Sequence, residues 1–150
     1  MTDGPPAAHE LRPLLIVDGA NVVGSVPDGW WRDRSGAAER LRNSLVPVAQ
    51  DGLAAGSGAP RWALGGPLEV LLVVEGAARG VSGVPGVRVA SASGSGDDLI
   101  VRLTAAERAP DGATPRRCLV VTADRELRSR VVALGAEVIG PRAVRPRRPA

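Results

Sequence analysis

The sequence predicts an α/β fold, a three-layer sandwich in which a mostly parallel central sheet of about five strands carries helices on both faces. Three observations point there. The segments "PLLIVD" (13–18), "LEVLLVVE" (68–75) and "CLVVTA" (118–123) are nearly unbroken apolar runs, as strands buried on both faces are. Stretches with helical spacing lie between them, and strand–helix alternation is the mark of a parallel sheet. At 150 residues the chain fits one domain with room for a real core.

Taken in order, the first strand (13–18) ends on Asp18 and runs into "GANVVGSVPDGWW", which reads as a loop because helical periodicity resumes only near Ala38. That first helix is carried by Ala38, Leu41, Leu45, Val48 and Leu53, with Pro47 as an expected kink and Gly56 as its stop. The Gly/Pro-rich "GSGAPRWALGGP" leaves Trp62 as a lone apolar group in a loop. The second strand (68–75) ends on Glu75. Between it and the third, "VRVA" (87–90), "GAARGVSGVPG" shows no helical pattern and is short for a parallel crossover, so a hairpin stands as the alternative there. A helix over 97–108 follows through Leu99, Ile100 and Leu103, and then the fourth strand, 118–123. The last helix, 124–135, uses Leu127, Val131 and Leu134 and stops at Gly135, and "AEVIG" (136–140) is a short fifth strand. The folded domain is therefore expected over 13–140, between a flexible N-terminus (1–12) and a basic Pro/Arg-rich tail (141–150).

Composition narrows the function. Phe and Tyr are absent, so the core falls to Val, Leu, Ile and Ala, with three Trp as the only aromatics. No apolar run approaches the roughly 20 residues of a membrane span, and the N-terminus has acids and adjacent prolines where a signal peptide has a basic start; a cytoplasmic protein is expected. Cys118, the only cysteine, permits neither an intrachain disulfide nor a zinc cluster, and its place at the head of an apolar run suggests packing. Lysine is absent altogether. Residues 1–140 hold 15 Arg against 16 acids, whereas the last ten add Arg142, Arg145, Arg147 and Arg148 without an acid. A basic arm of this kind suits a polyanion; a solvated terminus of biased composition is the plainer reading.

Right-handed crossovers bring the C-terminal ends of parallel strands to one edge, where open α/β sheets place their sites. Asp18, Glu75, Asp97, Asp98 and Asp124 all fall there, unless the second and third strands form a hairpin, which would start Asp97 and Asp98 from the opposite edge. Asp97, Asp98 and Asp124 are equally well read as helix starts, and Ser95 with Asp98 has the spacing of a capping box. Asp18 and Glu75 have no predicted helix start nearby. A carboxylate ending a buried apolar strand is costly unless it is paired, protonated or on a cation. Arg79, Arg88 and Arg125 are candidate partners, but several convergent carboxylates repel one another, and a divalent cation with oxygen ligands, Mg²⁺ or Mn²⁺, relieves that repulsion best. His9, the only histidine, falls in the N-terminus expected to be flexible, so the sequence offers no His ligand set and no Ser-His-Asp or Cys-His machinery. Acid-only sites with such ions suit phosphoryl chemistry. The missing lysine excludes a phosphate-cradling G-x-x-x-x-G-K-[ST] loop and the lysine-dependent receiver domains and haloacid-dehalogenase phosphatases; the latter also need an acid where Ala20 stands.

In this order and spacing, "IVDGANVV", "LLVVEG", "GDDLI" and "VVTADREL" resemble the NYN branch of the PIN-like nuclease superfamily, particularly its YacP-like members. The resemblance runs from about Leu14 to Ile139 and implies a PIN-like fold and a divalent-metal-dependent ribonuclease acting on RNA. By position it implies Asp18 as the first-strand metal ligand with Asn21 as its companion, Asp97 and Asp98 as the acids at a helix start, and Asp124 as the acid of the turn after the fourth strand. Glu75 stands where an Asp is expected, which leaves its metal role doubtful, and Ala20 replaces a common aromatic. Trp30 and Trp31 lie in the loop above these acids and suit base stacking, although packing over the first helix explains at least one of them as well. Arg32 and Arg34 beside them suit phosphate contacts or, equally, a place in solvent, and Arg125 next to Asp124 suits a phosphate contact. Two other readings stay open: a non-catalytic RNA-binding module of the same fold, and a nucleotide phosphohydrolase.

Overall fold

The computed structural model describes residues 11–26, 29–109 and 115–144. Five strands, β1 (Leu14–Asp18), β2 (Glu69–Val74), β3 (Val87–Ser91), β4 (Cys118–Val121) and β5 (Glu137–Ile139), form one sheet in the order β3-β2-β1-β4-β5, with every pair parallel. β1 lies in the middle. The chain steps outward to β2 and β3 on one side and then crosses over to β4 and β5 on the other. The reversal falls between β1 and β4, the place where open α/β sheets form a crevice.

All five residues of β1 are buried, which is why its sequence does not alternate. Leu15 and Val17 of β1 join Val70, Leu72 and Val74 of β2 in a core against Ala38, Leu41, Leu45 and Ala49. Those four come from α2 (Arg34–Asp51), which is preceded by a short α1 (Gly19–Gly24). Leu14, Ile16, Leu71 and Val73 point the other way, toward Ile100 of α3 (Gly96–Arg108) and Leu127 and Val131 of α4 (Arg125–Ala133). The pleat divides one apolar run between two helical layers.

The hairpin alternative is overturned. β2 and β3 pair in parallel from Val70 opposite Val87 to Val74 opposite Ser91. Their connection, 75–86, crosses over with a single 3-10 turn, Gly76–Ala78, and buries Val81 in place of a helix. Other expectations shift at element ends. α2 runs through Pro47, which sits on its exposed side, and stops at Gly52, not Gly56, because Gly52 takes a φ of +79° and its N–H bonds the Val48 carbonyl. Trp62 is not alone: it packs on the core, and its indole N–H donates to Glu137 at 2.8 Å. The fold also continues past Gly140, through a 3-10 turn at Pro141–Ala143 to a buried Val144. His9 and the tail arginines Arg145, Arg147 and Arg148 lie outside the described residues. No described helix is long and apolar enough to cross a membrane.

Candidate active site

Asp18 caps α1: its Oδ1 accepts the Asn21 N–H at 3.3 Å. This corrects the expectation that no helix begins beside it. α1 has six residues with glycine at both ends, too short to show a helical period in the sequence. Gly19 makes the turn into α1 fit, since a Cβ there would stand 2.5 Å from the Val73 carbonyl oxygen of β2. Capping does not account for the burial, however. Asp18 is only 5 % exposed, and its Oδ2 accepts the Thr122 hydroxyl at 2.9 Å. Burial first, then the charges of Asp97 and Glu75, push its pKa up to about 6 against the opposing pull of the Thr122 and Asn21 hydrogen bonds.

Thr122 is a hub at the end of β4. Fully buried, its hydroxyl donates to Asp18 and accepts the Asp124 N–H at 3.1 Å. Asp124 in turn caps α4 by accepting the Leu127 N–H at 2.9 Å. The Asn21 side chain accepts the Ala123 N–H at 2.9 Å, and Arg128 donates to the Thr122 carbonyl at 2.7 Å. The turns that follow β1 and β4 are thereby tied together at the reversal point of the sheet, and the expected companion of Asp18 acts first as that tie.

The parallel β3 brings the start of α3 to the same edge. Ser95 caps it by accepting the Asp97 N–H at 3.1 Å, and Glu75 Oε2 accepts the Gly96 N–H at 2.7 Å. Asp97 has its pKa raised by burial, then by Asp124 and Glu75, with Arg130 pulling the other way. Asp18 thus lies in electrostatic reach of Asp97 and Glu75, and Asp97 in that of Asp124 and Glu75. Asp98 lies at the rim, where it pairs with Arg130 at 3.0 Å and is largely exposed. The arginines considered from sequence do not neutralise the group. Arg79 bonds the Gly76 carbonyl, and Arg88 is held by Glu107 and Glu69, the latter at the opposite end of the sheet. Arg125 is exposed at the first turn of α4.

Among the described residues no three acid, histidine or cysteine side chains are gathered closely enough to cage one ion. The donors are nevertheless all oxygens, and Mg²⁺ is commonly held by one or two carboxylates, with water and phosphate completing its shell. Carboxylate oxygens are thus the right donor type for such an ion.

Across from them, Trp30–Arg32 forms a 3-10 turn. Trp30 is half-buried, while Trp31 stands edge-on to it at 6.3 Å and is 56 % exposed. The Arg34 guanidinium lies 5.4 Å over the Trp30 ring, and that of Arg32 lies 5.9 Å over Trp31. Trp30, Arg34, Ala20, Val23, Val74 and Glu75 are among the residues lining a cleft of about 330 Å³ next to Asp18. Thr122 and Arg130 are the participants that sequence reasoning missed. Thr122 had a signal, a hydroxyl two residues before Asp124 in "VVTAD"; Arg130 depends on a tertiary contact. Cys118 is core: burial pushes its thiol up to about 12, which leaves it unreactive.

No family model matches the chain, and no curated protein matches it. Its fold is similar to that of the crystal structure of Rae1 (YacP) from Bacillus subtilis, with a TM-score of 0.60 at 19 % identity over 88 % of this chain and 72 % of that one.

Proposed function

We propose that the protein is a divalent-metal-dependent endoribonuclease of the NYN/PIN-like kind, hydrolysing RNA phosphodiester bonds at the edge that carries Asp18. The carrying observation is Asp18 itself: a carboxylate buried at the reversal point of the sheet, raised to about 6 and facing further acids, is a group in need of a cation. The fold shared with Rae1 (YacP) and the YacP-like order of the motifs support the same reading. Asp18, Asp97 and Asp124 would hold Mg²⁺ or Mn²⁺, with Asp98 at the rim and Glu75 the doubtful member. When bound, the ion lowers the pKa of an attacking water and stabilises charge on the phosphate. Thr122 and Asn21 hold the two acid-bearing turns in register. Arg32 and Arg125, both exposed, are placed for phosphate oxygens.

The test is cleavage of RNA with Mn²⁺ or chelator by the wild type and by Asp18→Asn and Asp124→Asn. Cleavage that needs the metal and falls at least a hundredfold in both variants is expected. Unchanged metal-dependent cleavage in both overturns the proposal. Two observations favour the second reading, a non-catalytic RNA-binding module: Asp98 is paired with Arg130, and among the described residues no three acids are gathered for one ion. That reading predicts RNA binding without turnover.

A further inference from the structure

The cleft beside Asp18 has three chemically distinct walls. Its volume of about 330 Å³ lies at the lower end of small-molecule sites, roughly 300–1,000 Å³, and suits one nucleoside. Ala20, Val23 and Val74 make it apolar on one side. Trp30 contributes an aromatic surface with the Arg34 guanidinium lying over its ring, and Arg34 makes no ion pair among the described residues. Glu75 supplies a carboxylate that is fixed in place, because Oε2 accepts the Gly96 N–H while Oε1 has no protein donor among the described residues. A partly apolar cleft with an aromatic surface, a fixed acceptor and a guanidinium is complementary to a nucleotide: a π face, an N–H edge and a phosphate.

The acceptor narrows the base. A carboxylate accepts only, through two parallel oxygens, each with more than one lone pair. Guanine alone presents two adjacent N–H donors, N1–H and the N2 amino group, on its Watson–Crick edge. Adenine and cytosine set a single donor beside a lone pair, and the N3–H of uracil is flanked by two carbonyl oxygens that a carboxylate repels. The cleft also adjoins the acids, since Gly19 and Ala20 in its wall follow Asp18 directly and the charge of Glu75 is felt at Asp18. A base held there delivers its neighbouring phosphate to the site.

We infer that this cleft is a pocket for one unstacked guanine of the RNA, stacked against Trp30 and selected by Glu75, which makes Glu75 a specificity residue and not a metal ligand. The inference rests on the ribonuclease reading above and assigns a base preference to that same site. Its test is the binding of 5′-labelled pentamers UUGUU, UUAUU, UUCUU and UUUUU in chelator, where nothing is cleaved. The wild type is expected to bind UUGUU about tenfold tighter than the other three, the discrimination of one good bidentate contact. Glu75→Gln, which keeps an acceptor for the Gly96 N–H, is expected to bring the four to parity. Ala20→Leu, which fills the mouth of the cleft, is expected to weaken UUGUU to the level of UUUUU. Equal affinities in the wild type overturn the pocket, and so does a Glu75→Gln variant that keeps the preference while needing more Mn²⁺ to cleave. Cleavage of a long RNA by the wild type, assayed in parallel, separates the two ideas. Cleavage without base preference sinks the pocket alone, and guanine-selective binding without cleavage sinks the nuclease reading alone.

Discussion

At the scale of single residues, Asp18 carries a measurable strain. Its pKa is about 6 in the fold against an ordinary 3.8, so the folded state binds this proton more tightly than the open chain does. The stability it contributes is complete below pH 3.8 and is lost as pH rises through 6, a change on the order of 2–3 kcal/mol. Asp18→Asn removes the charge and keeps one oxygen, which can accept from either the Thr122 hydroxyl or the Asn21 N–H. Urea unfolding at a series of pH values should therefore show wild-type stability falling across the pH 4–6 window more steeply than that of the variant, which keeps only the smaller contribution of Asp97. Parallel curves for the two proteins would mean that the carboxylate is not strained. Protons and a cation compete for the same oxygens, so Mn²⁺ should raise the wild-type Tm at pH 7.5 and not at pH 5, and should leave Asp18→Asn unmoved at either pH. Thr122→Val is a complementary probe. It preserves shape but removes the hydroxyl shared by Asp18 and the Asp124 N–H in a fully buried place, at a cost of about 1–3 kcal/mol in a denaturant titration. Of these two residues the sequence showed Asp18 plainly, as an acid ending an apolar run. Thr122 looked ordinary because a buried hydroxyl is defined by its partners and not by its neighbours in the chain.

Elements differ in how openly the sequence declares them. β1, β2 and β4 were legible because burial on both faces demands continuous apolar runs, and α2, α3 and α4 because each keeps an apolar stripe. α1 was not, since six residues fall short of two turns and its flanking glycines argue for a loop. The pairing of β2 with β3 was not settled either: a crossover made from one 3-10 turn and extended chain has no periodicity to read. Yet α1 controls the site, because it turns Asn21 back toward β4. Its entry depends on a close backbone approach at Gly19, where an added Cβ meets the Val73 carbonyl, a group held in the sheet and unable to move aside. Gly19→Ala is accordingly expected to cost about 1–3 kcal/mol, read as a lowered urea midpoint, and to depress any cleavage with it. A midpoint equal to that of the wild type would show that β1 and β2 can separate at that end without penalty.

For the molecule as a whole, charge and topology pull against each other. The strand order gathers Asp18, Glu75, Asp97 and Asp124 at one edge, and that edge repels a polyanion until cations offset it. Arg32, Arg34 and Arg125 are local candidates for that role, and residues 1–140 carry one more acid than Arg, so the excess positive charge of the chain comes from its last ten residues. Val144 is buried in the core, so a chain ending there keeps the whole described fold while losing Arg145, Arg147 and Arg148. If those arginines meet RNA phosphates, each releases counterions from the strand, and log affinity falls with log salt by roughly 0.7 per contact. Removing 145–150 should therefore flatten the salt dependence of single-stranded RNA binding by about 2 in slope, and lower affinity most at low salt. The guanine preference, which belongs to Glu75, should survive the truncation. A truncated chain with an unchanged slope would place every phosphate contact on the folded domain, and one that loses base preference along with affinity would place recognition in the tail.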